Sequence, residues 1–217
     1  MIPNPWDPDS ARYLRTLGFK VLATTSSGFA WSQGPAAHGV TREAALAHLA
    51  AMAVATELPI NADFQNGFAH EPRGVEHGVR RAIDSSVAGV SIEDSCGEVG
   101  QPLYDLELAT ARMRAARRAT GAKGGDTLLV GGTECCLAGR ADIEQTITRL
   151  RAYANAGADG LYVPGIRLTE HITRIVESVA RKPVNLLIGS PNSLMVGQIA
   201  ALDVRRISVG GAPGWAA

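Results

Sequence analysis

Two short apolar runs that end in acidic residues are the first feature with chemistry in it. Residues 59–63 read P-I-N-A-D and end at Asp63; residues 89–94 read G-V-S-I-E-D and end at Glu93 and Asp94. Between them, residues 72–87 have the length and polarity of one helix. A strand–helix–strand unit implies adjacent parallel strands with a right-handed crossover, so both acidic ends meet on one edge of a sheet. Three carboxylates brought together repel one another unless positive charge sits among them. A hard divalent cation such as Mg2+, which takes oxygen ligands and keeps several waters, is the simplest answer. Asn61 and Asp63 are two apart on one strand and share a face, with Glu93 on the neighbouring strand, so the expected metal set is Asn61, Asp63 and Glu93. The competing reading, helix caps or solvated loop acids, suits a lone Asp better than this paired arrangement.

The elements that must position these acids alternate along the chain. Strands are expected at 2–4 (cut very short), 20–24, 59–63, 89–93, 127–130, 160–163, 183–188 and 206–209. Helices are expected at 8–17 behind an Asp7 cap, 41–55 behind Thr41, 72–87, 103–120, 141–156, 169–180 and 194–202. The stretch T-T-S-S-G-F-A-W-S-Q-G from Thr24 reads as a small-residue loop. Eight strands alternating with helices predict a closed (β/α)8 barrel, and no glycine-rich dinucleotide fingerprint follows the first strand to favour an open sheet. The reading is one domain over 1–217, with no long helix expected after the last strand.

Bulk properties narrow the partners. The 217 residues are 46% hydrophobic and 19% charged, with formal net charge zero. That balance offers no electrostatic footprint for nucleic acid or an anionic membrane, and no apolar run has membrane-spanning length. The N-terminus lacks the basic and apolar regions of a secretion signal. Cys96, Cys135 and Cys136 have no framework spacing, which predicts reduced thiols and a cytoplasmic setting.

In a barrel the chemistry sits at the C-terminal strand ends. In order these ends carry Thr24 to Phe29, Asn61 and Asp63, Glu93 and Asp94, Thr133 and Glu134, Tyr162, Asn185 and Ser190, and Ser208 to Gly211. The set is rich in oxygen and acid, as a Mg2+ pocket for a small anionic substrate requires. The pieces P-N-P-W-D, A-T-T-S-S-G-F-A-W-S, P-I-N-A-D-F-Q-N-G-F, S-I-E-D, P-L-Y-D, R-L-R-A-Y-A-N-A-G-A-D-G-L-Y-V-P-G, P-V-N and R-R-I-S-V-G-G span nearly the whole chain in order. This ordered set resembles the isocitrate lyase/phosphoenolpyruvate mutase superfamily, close to its short 2-methylisocitrate lyase-like and oxaloacetate decarboxylase-like members.

The resemblance implies a (β/α)8 barrel, an oligomer (dimer or tetramer), Mg2+ or Mn2+, and a 2-oxo acid or its enolate as ligand. It implies that Ser27, Gly28 and Phe29 hold the substrate carboxylate, and that Asp63 and Glu93 serve the metal, often through water. Departures from the pattern stand beside it. Asn61 occupies the first position of a usual D-x-D. Gly131-Gly132-Thr133-Glu134 stands where a piece like A-R-T-E places an arginine for the substrate carboxylate. Ala36-Ala37-His38-Gly39 stands where relatives carry an Asp near P-D-G. The loop after Glu93 is short, and the family's swapped terminal helices have no counterpart in this sequence.

Glu93, Cys96, Thr133 and Glu134 form the candidate catalytic set, with Cys96 as an acid or base beside the metal; Ser27, Gly28, Phe29, Asn61 and Asn185 form the substrate set. Cys135 and Cys136 read as space-filling, His38 as a loop histidine, and His48, His77 and His171 as surface residues on helices. The reaction expected is Mg2+-dependent cleavage of a C–C bond in a small 2-oxo or 2-hydroxy carboxylate. The alternatives are P–C bond chemistry on phosphoenolpyruvate or phosphonopyruvate, a degenerate anion-binding member, and a phosphate-gripping barrel built on G-S-P-N-S and V-G-G-A-P-G.

Overall fold

The computed structural model describes residues 1–34, 39–98, 100–122, 126–139, 142–179, 182–190 and 194–216. Seven parallel strands follow one another in strict sequence order: β1 (Leu22–Ala23), β2 (Ile60–Asp63), β3 (Gly89–Glu93), β4 (Leu128–Gly132), β5 (Gly160–Tyr162), β6 (Val184–Leu187) and β7 (Arg206–Ser208). Helices alternate with them: α1 (Pro8–Thr16), α2 (Ser26–Ser32), α3 (Arg42–Ala55), α4 (Pro72–Asp84), α5 (Leu106–Gly121), α6 (Ile143–Asn155), α7 (Thr169–Ser178), α8 (Val196–Ala201) and α9 (Ala212–Ala216). Sequential parallel order with a helix in each crossover curls the sheet into a nearly closed barrel.

The expected first strand is present only as a staple across the remaining gap. Ile2 N–H donates to Ile207 O at 2.7 Å and Ala23 N–H donates to Pro3 O at 3.0 Å, so residues 2–3 bridge β7 and β1. Proline cannot donate a ladder hydrogen bond, which limits the length of this contact. Asn4 completes it: its side chain donates to Thr24 O and accepts from the amides of Val209 and Gly210.

Several boundaries differ from expectation for local reasons. Asp7 and Thr41 cap α1 and α3 as their sequences require. The helix expected from residue 103 begins at Leu106 because Asp105 takes the cap position and accepts from Leu108 N. The stretch expected as a loop after β1 is instead α2, started by the Thr25 side chain accepting from Gly28 N at 3.2 Å. After β7 the described residues hold only the five-residue α9, not a long helix.

The core lies between the outer faces of the strands and the inner faces of the helices. Ala62, Val90, Ile92, Leu129, Leu161 and Leu186 pack against Val75, Val79, Met113, Leu150, Ile172 and Ile175, all fully or nearly buried. No helix is long and apolar enough to cross a membrane among the described residues.

Candidate active site

Alternation along each strand turns one set of side chains outward into this core and the other into the barrel lumen. The inward set lines a cavity of about 50 Å3 bounded by Asn61, Asp63, Glu93, Tyr162, Asn185 and Arg206, among others. At ~10–15 Å3 per water-sized group, it admits a ligand end of a few heavy atoms. A wider bowl of about 500 Å3 lies beside it, lined by Gln65, Asn66, Phe68, His70, Ser95, Cys96 and Tyr104. Glu93 lines both, so the two spaces adjoin at this residue.

The upper wall is acidic. Asp63 Oδ2 accepts from Ser26 N at 2.8 Å, and the Asp63 amide donates to Thr24 Oγ1 at 2.8 Å, tying β2 to the start of α2. Glu93 is pushed well above the usual carboxylate range, first by burial and then by the negative charges of Glu134 and Asp63. Burial lifts Glu134 to about 7, and Asp94 and Asp63 add to the rise while a hydrogen bond with Glu93 opposes it. Two buried carboxyl groups in contact titrate as a pair that shares a proton. Tyr162, in the same lumen, is also raised, by burial and then by Asp63, so its phenol stays protonated.

Asp94 does not join this group. It follows Glu93 in sequence and therefore points the other way, into a buried polar cluster on the helix side. Its carboxylate accepts from Arg149 Nη1 at 3.0 Å, Thr133 Oγ1 at 2.8 Å, the Glu134 amide at 2.9 Å, and the Tyr153 hydroxyl. The expectation of three carboxylates converging on one metal is corrected accordingly: Asp94 is neutralised by Arg149, and the acids that line the lumen are Asp63 and Glu93, with Glu134 in contact with Glu93. Thr133 is fully buried and directed at Asp94 and Cys135, so it supports the strand end rather than lining the lumen.

The other expected residues fall in distinct places. The amides of Gly28 and Phe29 are spent on the cap and first turn of α2, which leaves them no donor for an anion. Gly28 is glycine because a Cβ there would stand 2.6 Å from Thr25 Cγ2 and 3.2 Å from Trp6 Cβ. Phe29 turns away and stacks on His48 with ring centroids 3.9 Å apart. His48, expected on the surface, is a largely buried neutral histidine that burial lowers to about 4. Ser27 Oγ shares a hydrogen bond with Thr25 Oγ1. Asn61 faces the lumen, but its Oδ1 already accepts from Arg206 Nη1 at 3.2 Å while its Nδ2 donates to Ser91 Oγ. Asn185 lines the lumen and donates to Ser208 Oγ at 2.8 Å. Cys96 lies in the bowl with its thiol donating to Gln101 O at 2.8 Å. Cys96, Cys135 and Cys136 are free. Ala36, Ala37, His38 and residues 191–193 of G-S-P-N-S lie outside the described residues.

The model of the phosphoenolpyruvate phosphomutase family matches residues 1–217. The chain belongs to this family, within the isocitrate lyase/phosphoenolpyruvate mutase superfamily. An uncharacterized protein of Mycobacterium tuberculosis is 31% identical over 215 residues, 98% of this chain and 78% of the relative. Oxaloacetate decarboxylase of Pseudomonas fluorescens is 26% identical over 212 residues, covering 94% of this chain and 71% of the enzyme. A Burkholderia cenocepacia crystal structure assigned as a lyase/mutase superposes with TM-score 0.95 at 41% identity, over 99% of this chain and 77% of that one. Oxaloacetate acetylhydrolase bound to its product oxalate superposes with TM-score 0.87 at 26% identity, with the same coverage.

Four residues of this phosphoenolpyruvate phosphomutase family chain were not singled out from sequence. Arg206 opens β7 and reaches into the lumen; period-two alternation with Ser208 was the available signal. Arg149 and Tyr153 sit one helical turn apart on α6, the spacing that lets both reach Asp94. Arg112, on α5, lies over the Tyr104 ring and donates to the carbonyls of Asn66, Ala69 and His70, fixing the loop that floors the bowl.

Proposed function

We propose that this chain is a divalent-cation-dependent lyase that cleaves a C–C bond of a small 2-oxo or 2-hydroxy carboxylate through its enolate. The observation that carries the reading is the lumen itself. Buried acids at the ends of β2 and β3 face a buried guanidinium, an amide and a phenol across a space sized for a small acid. The decarboxylase and acetylhydrolase relatives, both named for oxaloacetate, support that substrate class.

The donor set fits a hard cation in part. The crowding of Asp63, Glu93 and Glu134 raises the last two, which is the electrostatic situation a divalent ion relieves. No group of three His, Cys, Asp or Glu side chains among the described residues is gathered tightly enough to coordinate one as it stands. Asn61 fits less well than expected, since Arg206 occupies its oxygen. Asp63 and Glu93 are therefore the residues that would hold Mg2+, or Mn2+ in its place, directly or through water. Such an ion would supply the positive charge that stabilises an enolate oxygen.

The chain's own residues do the rest. Glu134, near 7, is poised to give or take a proton at neutral pH through its contact with Glu93. Cys96 is a second proton carrier at the mouth of the bowl. Asn185 and Tyr162 orient the ligand within the lumen. The whole of 1–217 acts as one barrel domain; the free thiols support a cytoplasmic setting, and the exposed Tyr13, Leu17, Val54, Leu137 and Leu168 support a homo-oligomer, dimer or tetramer.

A second reading has one specific observation behind it. With Asn61 engaged by Arg206 and glycine at 132, the chain can be a family member that binds small carboxylates without turning them over. Incubation with oxaloacetate, 2-methylisocitrate and phosphonopyruvate, with Mg2+ or a chelator, decides the matter through release of pyruvate, or of oxalate from oxaloacetate. Mg2+-dependent release from either of the first two supports the lyase. Release from phosphonopyruvate alone shifts the chemistry to the P–C bond, and binding without release favours the second reading.

A further inference from the structure

Arg206 places a half-buried positive charge in the barrel lumen. It is the first residue of β7, so its side chain rises from the closed end of the lumen beneath the acids. Burial lowers its pKa, and no carboxylate among the described residues is recorded within ion-pair distance of it. The other buried guanidiniums also leave Nε without a partner, but their remaining donors are engaged: Arg149 pairs with Asp94 and donates to Tyr104 O, and Arg112 donates to three carbonyls. Asp63 does not serve Arg206, because its oxygens accept from the amides of Ser26 and Gln65.

The geometry of the guanidinium makes this specific. Nη1 is spent on Asn61, a neutral acceptor. Nε is buried without a partner among the described residues. Nε–H and the neighbouring Nη2–H form the edge that takes a carboxylate through two parallel hydrogen bonds. The residue beside it in the register is Asn185, only 4% exposed, whose Oδ1 is also buried without a partner. Its Nδ2 meets Ser208 Oγ, a hydroxyl that donates as readily as it accepts, so a half-turn of the amide presents NH2 to the same space. Beyond Asn185 in the register is Tyr162, a phenol kept protonated. One wall of the lumen thus offers a guanidinium edge, an amide and a hydroxyl in adjacent positions.

We propose that Arg206, with Asn185 and Tyr162 beside it, is the receptor for the substrate's carboxylate and grips it from the floor of the barrel. This rests on the carboxylate reading above and deepens it. It supplies from β7 the charge that Gly132 does not supply from β4. A carboxylate held at the floor points the rest of the acid up toward Glu93 and Glu134 and out to the bowl. Arg206 is then a specificity-determining residue: acids with a free terminal carboxylate bind, and their esters and amides do not.

The test is titration calorimetry with oxalate, run once with a chelator and once with Mg2+, on wild type, Arg206→Gln, Arg206→Lys and Asn61→Asp. Circular dichroism and thermal melting verify each fold. Arg206→Gln should weaken oxalate at least tenfold in both conditions. Arg206→Lys should lose less, since it keeps the charge but not the fork. Asn61→Asp should weaken oxalate severalfold with the chelator present, because a carboxylate placed against Nη1 competes for the same guanidinium. A folded Arg206→Gln that binds within twofold of wild type overturns the proposal while leaving the carboxylate reading intact. If Arg206→Gln does not fold, unchanged chelator-phase binding in Asn61→Asp overturns it equally. Wild type that binds no oxalate in either condition overturns both.

Discussion

Replacing Arg149 with Met tests how far the active-site rim depends on a buried ion pair. The Arg149 and Asp94 side chains are 8% and 2% exposed, and their closest approach is 3.0 Å. Arg149 also donates to Tyr104 O at 2.9 Å. Met fills most of the volume but removes the charge, leaving Asp94 buried without its counter-ion. Losing one partner of such a pair costs about 3–5 kcal/mol. Asp94 would retain the Thr133 hydroxyl, the Glu134 amide and the Tyr153 hydroxyl, which places the expected loss near the lower bound, about 3 kcal/mol. For a chain of this size that lowers the melting temperature by roughly 6–12 °C. Denaturant unfolding and calorimetry read it directly. The double variant Arg149→Met/Asp94→Leu should be less destabilised than the two single losses added together, because the stranded charge is gone. A loss under about 1 kcal/mol in the single variant, or strict additivity in the double, would refute the view of Asp94 as an anchored charge.

Three further outcomes follow from the lumen. Glu134 is raised from 4.5 to about 7, so the folded state keeps a proton that the unfolded chain releases; its stability contribution is full below pH 4.5 and is lost as pH rises through 7. Glu134→Gln should therefore gain up to about 3 kcal/mol relative to wild type between those limits, and a pH-independent difference would contradict the assignment. Asp63→Ala should abolish Mg2+-dependent ligand binding while the barrel still melts cooperatively; unchanged Mg2+ affinity by calorimetry would remove Asp63 from the metal set. A Cβ on Gly132 would meet Tyr162 Cδ1, Glu93 Cβ and Ile92 O at 3.5–3.6 Å, ordinary contact, so the backbone at 132 accepts the root of a side chain and Gly132→Arg can be tested there. It should tighten a 2-oxo dicarboxylate tenfold or more, about 1.4 kcal/mol, and no gain would mean that Glu93 captures the new charge.

The barrel was legible because strand–helix alternation is a long-range pattern, repeated enough times to survive errors at each boundary. Asn61, Asp63 and Glu93 were legible as lumen residues for a similar reason: two-residue spacing fixes the face of a strand whatever its neighbours do. The helix α2 was not, since T-T-S-S-G-F has poor helix propensity and depends on the Thr25 cap and on Asp63 receiving the Ser26 amide. Asp94 was misplaced by reading acidic residues as a cluster instead of applying the alternation that turns it away from Glu93. Arg206 is hard to see in the sequence because it begins its strand, whereas the chemistry of a barrel is expected at the strand ends. His48 was expected at the surface because histidine itself is polar; Phe29, nineteen residues earlier in the chain, covers it.

Crystals grown with Mn2+ and oxalate, measured at a wavelength where Mn2+ scatters anomalously, test the central claim most directly. The account predicts an anomalous peak beside the Asp63 and Glu93 carboxylates, with oxalate between that peak and the Arg206 guanidinium. Oxalate bound at Gly210 and Gly211 instead, or a lumen without manganese in crystals that hold oxalate, would contradict it.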